Sequence, residues 1–147
     1  LLQRSKLYNE ISWKITLVKK TCLIYDRDTL VFESVKRGVQ PLIDFISFND
    51  DIDKEYILVD KIIGRGAVIL AKLIGVTEIH TPIISQDALE LALEYNMYCE
   101  YQSLVPFIKN RGNTGRCPIE SCVLGISDPN EGYIRIQNTL EQFKKAT

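Results

Sequence analysis

The stretch "EYILVDKIIGRGAVILAKLIGV" constrains the fold more than any other part of the sequence. Its first residues, 55–59, predict a short apolar strand that meets Asp60. A helix is predicted to follow and to run to about Ile74. Apart from Arg65 and Lys72 this helix is apolar nearly all round, so it must be buried against a sheet.

Strands and helices alternate along the rest of the chain. The apolar runs of "TCLIYDRDTLVFES" predict a β-hairpin, and Pro41 fits the first turn of a helix in "VQPLIDFISF". "EIHTPIIS" predicts a strand in which Pro82 favours an edge position or a bulge, and Ser85 is a candidate N-cap for the helix that ends at Asn96. "MYCEY" predicts a further strand, and a short helix is predicted after Cys117.

This alternation after a hairpin predicts an α/β fold, a three-layer α/β/α sandwich with a mixed five-stranded sheet. We expect a single domain over residues 1–147. A helix at 2–19 and another at 133–145 are additions to it, and each has one apolar stripe at helical spacing.

The composition excludes several classes of protein. The chain has 147 residues, with 18 basic against 19 acidic, and a broad nucleic-acid footprint needs a net basic face. The four irregularly spaced cysteines do not indicate a disulfide framework at this length. No apolar run approaches the roughly 18 residues of a membrane span, and the charged N-terminal stretch does not resemble a signal peptide. We expect a cytoplasmic location and no membrane or nucleic-acid partner.

Two points along the chain could carry chemistry. In open α/β sheets, ligands bind at the carboxyl ends of strands, where helices begin. Asp60 and Lys61 form one such point, and the loop that leads to Cys117 forms the other. If both helices start at the same sheet edge, these residues converge with Arg111 and Thr114, and the helix N-termini favour an anion or a thiolate between them.

The cysteines do not have the spacing of a zinc site. Zinc-dependent nucleobase deaminases combine H-x-E with P-C-x-x-C, whereas Cys117 and Cys122 form C-x4-C. Five residues along a helix turn by roughly 140° beyond a full turn, so the two thiols face different ways. The only histidine, His80, lies in a predicted strand, where packing is a commoner role than ligation. We therefore expect neither a metal nor another cofactor.

Each candidate also has an ordinary structural interpretation. Cys117 is a candidate nucleophile and Glu120 a candidate acid, base or orienting group, but Pro118 and Glu120 are also what a helix start prefers. Asp60 could be only an N-cap. Lys61 works against the helix dipole and is therefore more suggestive of a bound anion. "RGNTG" offers exposed N–H groups that could cradle a phosphate, as many turns do.

Four stretches, "GVQPLIDFI", "VDKIIGRGAVILAKLIGV", "IISQDALELALEYN" and "LVPFIKNRGNTGRCPIESCV", together resemble the domain of unknown function family 1893. The resemblance implies a cytidine-deaminase-like fold in which the zinc residues are replaced, so deaminase activity is not implied. It places two motifs on this chain. The first contains Asp60, Lys61 and Gly64, and the second contains Asn110, Arg111, Thr114, Gly115, Cys117, Pro118 and Glu120.

The expected function is binding of a nucleotide or another phosphorylated small molecule in a zinc-free pocket. The candidate catalytic residues are Cys117, Glu120, Lys61 and Asp60, and the candidate ligand-binding residues are Gly64, Asn110, Arg111, Thr114 and Gly115. The alternative is a non-catalytic regulatory or interaction domain, and a third reading is a divergent zinc-dependent deaminase. The macromolecular partner that we consider is another copy of the chain, in a homo-oligomer.

Overall fold

Six strands and five helices make up the part of the chain that the computed structural model describes, residues 17–49 and 54–146. The strands are β1 (Cys22–Asp26), β2 (Thr29–Ser34), β3 (Tyr56–Asp60), β4 (Ile62–Ile63), β5 (Val76–Ser85) and β6 (Tyr98–Val105). The helices are α1 (Gln40–Phe48), α2 (Arg65–Ile74), α3 (Gln86–Glu94), α4 (Pro118–Cys122) and α5 (Pro129–Ala146). Residues 2–16 of the predicted N-terminal helix lie outside this part.

The strands form one mixed sheet, as the sequence predicted. β1 pairs antiparallel with both β2 and β3, while β3, β4 and β6 all pair parallel with β5. β3 and β4 lie along the same side of β5, because each shares a stretch of β5 with β6 on the opposite side. The sheet has six strands rather than the predicted five, since β4 was not foreseen.

The two faces of the sheet bury different clusters of side chains. Alternation along β1 sends Cys22 and Ile24 to the face where the helices pack, and Leu23 to the other face, where it meets Ile57 and Val59. The helical face holds the larger cluster, and α2 lies at its centre, in contact with the other four helices. The expectation that this apolar helix is buried is confirmed.

Helix α2 begins five residues after Asp60, not directly at it. The chain first forms β4, which pairs Ile62 and Ile63 with the C-terminal part of β5. Gly64 is the N-cap, and Gly75 ends the helix in the left-handed conformation with φ 101°. The interpretation of Asp60 as the N-cap of this helix is therefore wrong, and Lys61 does not lie in its first turn.

Of the two alternatives predicted at Pro82, an edge position or a bulge, the edge position is wrong. β5 is the central strand and is paired on both sides. Pro82 lies where its partner on one side changes, since β3 pairs as far as His80 and β4 begins at Ile83. A proline has no N–H to donate to a ladder, so this gap between two partners tolerates it.

Several local predictions are confirmed. The hairpin forms at 22–34, Pro41 lies in the first turn of α1, and the Ser85 hydroxyl accepts the Ala88 N–H at 3.2 Å as the N-cap of α3. The C-terminal helix starts at Pro129, four residues earlier than predicted. None of the helices within 17–49 and 54–146 has the length and apolar character of a membrane span.

The contact between α2 and α5 generates a stability prediction. A Cβ added at Gly132 would lie 2.7 Å from Cγ2 of Ile69, closer than side chains pack. Alanine in a helix is normally favoured over glycine by about 1 kcal/mol. Here we expect Gly132→Ala to lower the free energy of unfolding by about 1 kcal/mol, because overpacking a core costs about 1–3 kcal/mol and the helix preference of alanine offsets about 1 kcal/mol of that cost.

Chemical denaturation measures the free energy of unfolding of Gly132→Ala, with Gly112→Ala as the control. A Cβ at Gly112 would meet its nearest atom at 3.7 Å, an ordinary contact. The control should unfold close to the wild type. A Gly132→Ala protein as stable as the wild type would contradict the close helix contact.

Candidate functional site

A cavity of about 640 Å³ lies at the carboxyl edge of the parallel strands, within the size range of small-molecule sites. Besides Thr21, three segments form its walls, each following a different strand. They are the connection from β2 to α1 (35–39), the segment from the end of β3 into α2 (60–67), and the region from 108 to 120. The two points that the sequence singled out therefore border one cavity.

Most of the candidate residues line this cavity. The lining members are Asp60, Lys61, Gly64, Asn110, Arg111, Cys117, Pro118 and Glu120. Thr114 and Gly115 are not among the lining residues. They belong to the tip of the loop, where their contacts shape the backbone.

Glu120 is buried, with 2% of its surface exposed, and both of its carboxylate oxygens accept hydrogen bonds. Oε1 accepts from the Ser85 hydroxyl at 2.6 Å, and Oε2 accepts from the Ile108 N–H at 2.8 Å. Ser85 ends β5, and Ile108 lies just beyond β6. The carboxylate thus ties α4 to the ends of two neighbouring strands, which favours a positioning role for Glu120 over proton transfer.

Gly64 leaves room for this carboxylate. A Cβ at Gly64 would approach Cγ1 of Ile108 at 3.2 Å and Cδ of Glu120 at 3.6 Å. Any side chain would therefore press on the Glu120 contact. Close packing against Ile108 and Glu120 therefore explains why glycine occupies this position of the first motif.

Asp60 lies at the break between β3 and β4, with 6% of its surface exposed. Its Oδ1 accepts the Ile62 N–H at 3.3 Å. Burial raises the pKa of the carboxyl to about 7, although the backbone N–H groups of Ile62 and Lys61 and the thiol of Cys22 work in the other direction. Among the lining residues, Asp60 is thus an acid that exchanges its proton near neutral pH.

Cys22, behind Asp60, is a buried thiol that does not line the cavity. Burial raises its pKa, and the neighbouring Asp60 charge raises it further. It therefore remains a protonated donor to Asp60. Sequence reasoning missed this pair, because the two residues meet only through the pairing of β1 with β3.

The loop of the second motif is held by its own side chains. The Asn110 side-chain amide donates to the Thr114 hydroxyl at 3.1 Å, and Asn110 Oδ1 accepts the Thr114 N–H at 2.9 Å. The Asn110 N–H also donates to the Gly115 carbonyl at 2.9 Å. These contacts close a tight turn, which presents Arg111 on the cavity wall.

Cys117 is half-buried on the cavity wall and precedes α4, which has five residues. Its N–H donates to the Ile108 carbonyl at 2.8 Å, and its side chain makes no capping hydrogen bond. Cys122 differs, since its thiol donates to the Ile119 carbonyl at 3.1 Å and it does not line the cavity. Of the two cysteines of the loop, Cys117 is the one that a cavity ligand could reach.

The sequence reasoning missed two cations of the β2–α1 connection, Lys36 and Arg37, which also line the cavity. Lys36 pairs with Asp44 at 2.8 Å, and this hydrogen bond lowers the pKa of that carboxyl. The adjacent cations in "VKRGVQP", placed between a predicted strand and a predicted helix, were the available signal.

The described residues do not fit a zinc site. Within 17–49 and 54–146 no group of three or more His, Cys, Asp or Glu side chains is arranged to hold a metal ion. The oxygens of Glu120 are engaged by Ser85 and Ile108. His80 contacts Glu78 and Glu100, and strand alternation places it on the sheet face opposite Ile79 and the helices.

Comparisons with known proteins agree with the sequence resemblance. The family model described as TM1506, domain of unknown function (DUF1893), matches residues 13–140. The crystal structure of a DUF1893 family protein (TM1506) from Thermotoga maritima is similar, with a TM-score of 0.76 over 97% of each chain and 24% sequence identity. At this identity the likeness shows a shared fold. No curated protein matches the sequence.

The raised pKa of Asp60 generates a prediction of pH dependence. The folded-state value of about 7 exceeds the unfolded value of about 3.9, so the folded protein holds the proton more tightly. Ionisation of Asp60 therefore destabilises the fold. The penalty is absent below about pH 4, grows between pH 4 and 7, and is complete above pH 7.

Asp60→Asn removes the ionisation. We expect its unfolding free energy, relative to the wild type, to rise from pH 4 to pH 8 by at most about 4 kcal/mol, since one pKa unit corresponds to 1.36 kcal/mol. Denaturant titrations at several pH values measure this difference. Asp28→Asn, in the exposed hairpin turn, is the matched control. If the difference in unfolding free energy between Asp60→Asn and the wild type does not change with pH, the raised pKa of the buried Asp60 carboxyl is contradicted.

Proposed function

The chain belongs to the DUF1893 family, and from that premise we propose that it binds a nucleotide or another phosphorylated small molecule in the cavity at the carboxyl edge of the sheet. The observation that carries the proposal is the charge of the cavity wall. Arg37, Lys61, Lys109 and Arg111 all line it, and none of them forms an ion pair with a described residue.

Unpaired cations around a concave surface attract an anion. Low-dielectric walls focus the field of such a cluster and raise the local concentration of oppositely charged ligands. Of the two acids that line the cavity, Glu120 is buried and already bonded to Ser85 and Ile108. Asp60, with its pKa near 7, is only partly ionised at neutral pH. The wall is thus net positive, which favours a phosphorylated ligand.

The cavity also offers apolar surface for the rest of such a ligand. Val39, Ile62, Ala67, Ile108 and Ile119 line it beside the cations. Small-molecule sites combine a mainly apolar lining with a few placed polar groups. A flat base or another apolar group with a phosphate attached suits this combination.

We assign the candidate residues different roles. Lys61 and Arg111 contact the phosphate, and Asn110, Thr114 and Gly115 hold the loop that carries Arg111. Asp60 is the group available to exchange a proton with the ligand, and Cys117 is the available nucleophile. Gly64 and Glu120 position the wall.

For the fold, we propose a cytidine-deaminase-like three-layer arrangement in a single domain. The parallel order of β3, β5 and β6, with helices in the connections, supports it, and so does Leu17 before β1, which is buried against Leu23 and Val59 on the sheet face opposite the helices. The TM-score of 0.76 to the Thermotoga maritima protein supports a common family architecture. No reaction step is assigned to zinc, because the described donor side chains do not fit it.

The alternative is a regulatory or interaction domain that retains the cavity only for structure. The position of β6 favours it, because β6 lies at an edge of the described sheet and exposes 39% of Tyr101 and 43% of Leu104, on opposite faces. An edge strand can pair with a strand of a second protein, including another copy of the chain. Ligand binding discriminates between the two functions.

A nucleotide panel in a thermal unfolding assay tests the proposal. A ligand at about 100 times its Kd stabilises a protein by about 2.7 kcal/mol, which for this size shifts Tm by several degrees. We expect Lys61→Ala and Arg111→Ala to reduce the shift strongly. Both side chains are exposed, so neither variant should unfold. Arg135→Ala, on the exposed face of α5, is the control.

Alkylation of Cys117 locates the bound ligand. A thiol probe at pH 7 should modify Cys117 faster than the buried Cys22 or than Cys99, whose pKa burial raises to about 11. Bound nucleotide should slow the reaction at Cys117 alone. A panel that shifts neither Tm nor alkylation would contradict ligand binding and favour the interaction domain.

A further inference from the structure

Thr21 links the β2–α1 connection to the start of the β3–β4 break at the cavity. The Thr21 hydroxyl donates to the Lys36 carbonyl at 2.6 Å, and the Thr21 carbonyl accepts the Lys61 N–H at 3.2 Å. Gly38 turns the chain into α1 with φ 62°. The connection is therefore fixed beside the β3–β4 break, and Arg37 is held at the cavity as part of it.

The cations come from three loops that are separated along the sheet edge. β1 lies between β2 and β3, so the ends of those two strands are about 10 Å apart at a strand spacing of about 4.8 Å. Arg37 follows β2, and Lys61 follows β3. Lys109 and Arg111 follow β6, which lies beyond β5. The positive charge is thus spread across the cavity and is not concentrated at one point.

We propose that the ligand carries two or more phosphate groups, as a nucleoside diphosphate does, and that Arg37 contacts the second of them. This inference rests on the proposed function. A phosphate monoester carries about 1.5–2 negative charges at neutral pH, which balances about two of the four lining cations that form no ion pair with a described residue. A second phosphate balances the others, and a chain of phosphates offers oxygens to cations on more than one loop.

The distribution of roles follows from the topology. Lys61 and Arg111 come from the two motifs at the centre of the cavity wall and hold the first phosphate. Arg37 follows β2, which is two strands away from β3, so we assign Arg37 to a second phosphate beyond the one that Lys61 contacts. Lys36 is the weaker partner, because Asp44 already neutralises it.

Isothermal titration with adenosine monophosphate, adenosine diphosphate, inorganic phosphate and pyrophosphate tests the proposal, at constant ionic strength and without divalent cations. We expect the wild type to bind the diphosphate at least about tenfold more tightly than the monophosphate, with the same order for pyrophosphate and phosphate. Arg37→Gln should reduce this ratio to about threefold or less and leave monophosphate affinity within about twofold. Arg135→Gln, outside the cavity, should change neither.

The outcomes separate the inference from the proposed function. Equal affinities for the monophosphate and the diphosphate would overturn the two-phosphate ligand and leave phosphate binding standing. A preference that persists unchanged in Arg37→Gln would overturn the role of Arg37. If none of the four compounds binds, both the inference and the proposed function fail. Circular dichroism of Arg37→Gln verifies that this exposed substitution leaves the fold intact.

Discussion

The buried carboxylate of Glu120 is the interaction on which the candidate site depends. A charge removed from water is tolerated only when hydrogen bonds replace its hydration. Here the Ser85 hydroxyl and the Ile108 N–H supply them, at 2.6 and 2.8 Å. Ser85 accepts the Ala88 N–H at the same time, so one chain of hydrogen bonds connects α4, the end of β5 and the first turn of α3. The loop beyond β6 is held against this chain through Ile108.

A second buried charge, Arg65, completes the framework on the other side of α4. Its guanidinium donates to the carbonyls of Val123 and Ile126 at 3.0 Å and pairs with Asp87 at 2.9 Å. The start of α2 is thereby joined to the segment after α4 and to α3. These two contacts therefore fix α2, α3 and α4 relative to one another, which pre-organises the part of the cavity wall that α2 and α4 carry.

Local sequence patterns predicted the elements but not the way they meet. The hairpin, the apolar helix α2, the Ser85 N-cap and the left-handed end at Gly75 are properties of short segments, and each was predictable. The short strand β4 and the position of Pro82 depend on which strand lies beside which, and no local pattern records that. The burial of Arg65, the charged residue of an otherwise apolar helix start, also depends on the segments around it. Cys22 and Arg37 likewise reach the site from segments that are distant in the sequence. The motif residues converge because the carboxyl ends of parallel strands share one edge, whereas Thr114 turned out to shape the loop away from the cavity lining.

The free energy of unfolding of Glu120→Ala tests the central claim most directly, with Glu131→Ala as the reference for an exposed glutamate on α5. We predict a loss of about 3 kcal/mol or more for Glu120→Ala, because two hydrogen bonds to the buried carboxyl group disappear and their donors are left unpaired. Glu131 is half-exposed and lies 3.8 Å from Arg135, so Glu131→Ala should lower the free energy of unfolding by less than about 1 kcal/mol. Equal and small losses in the two variants would contradict the claim that Glu120 holds the site together.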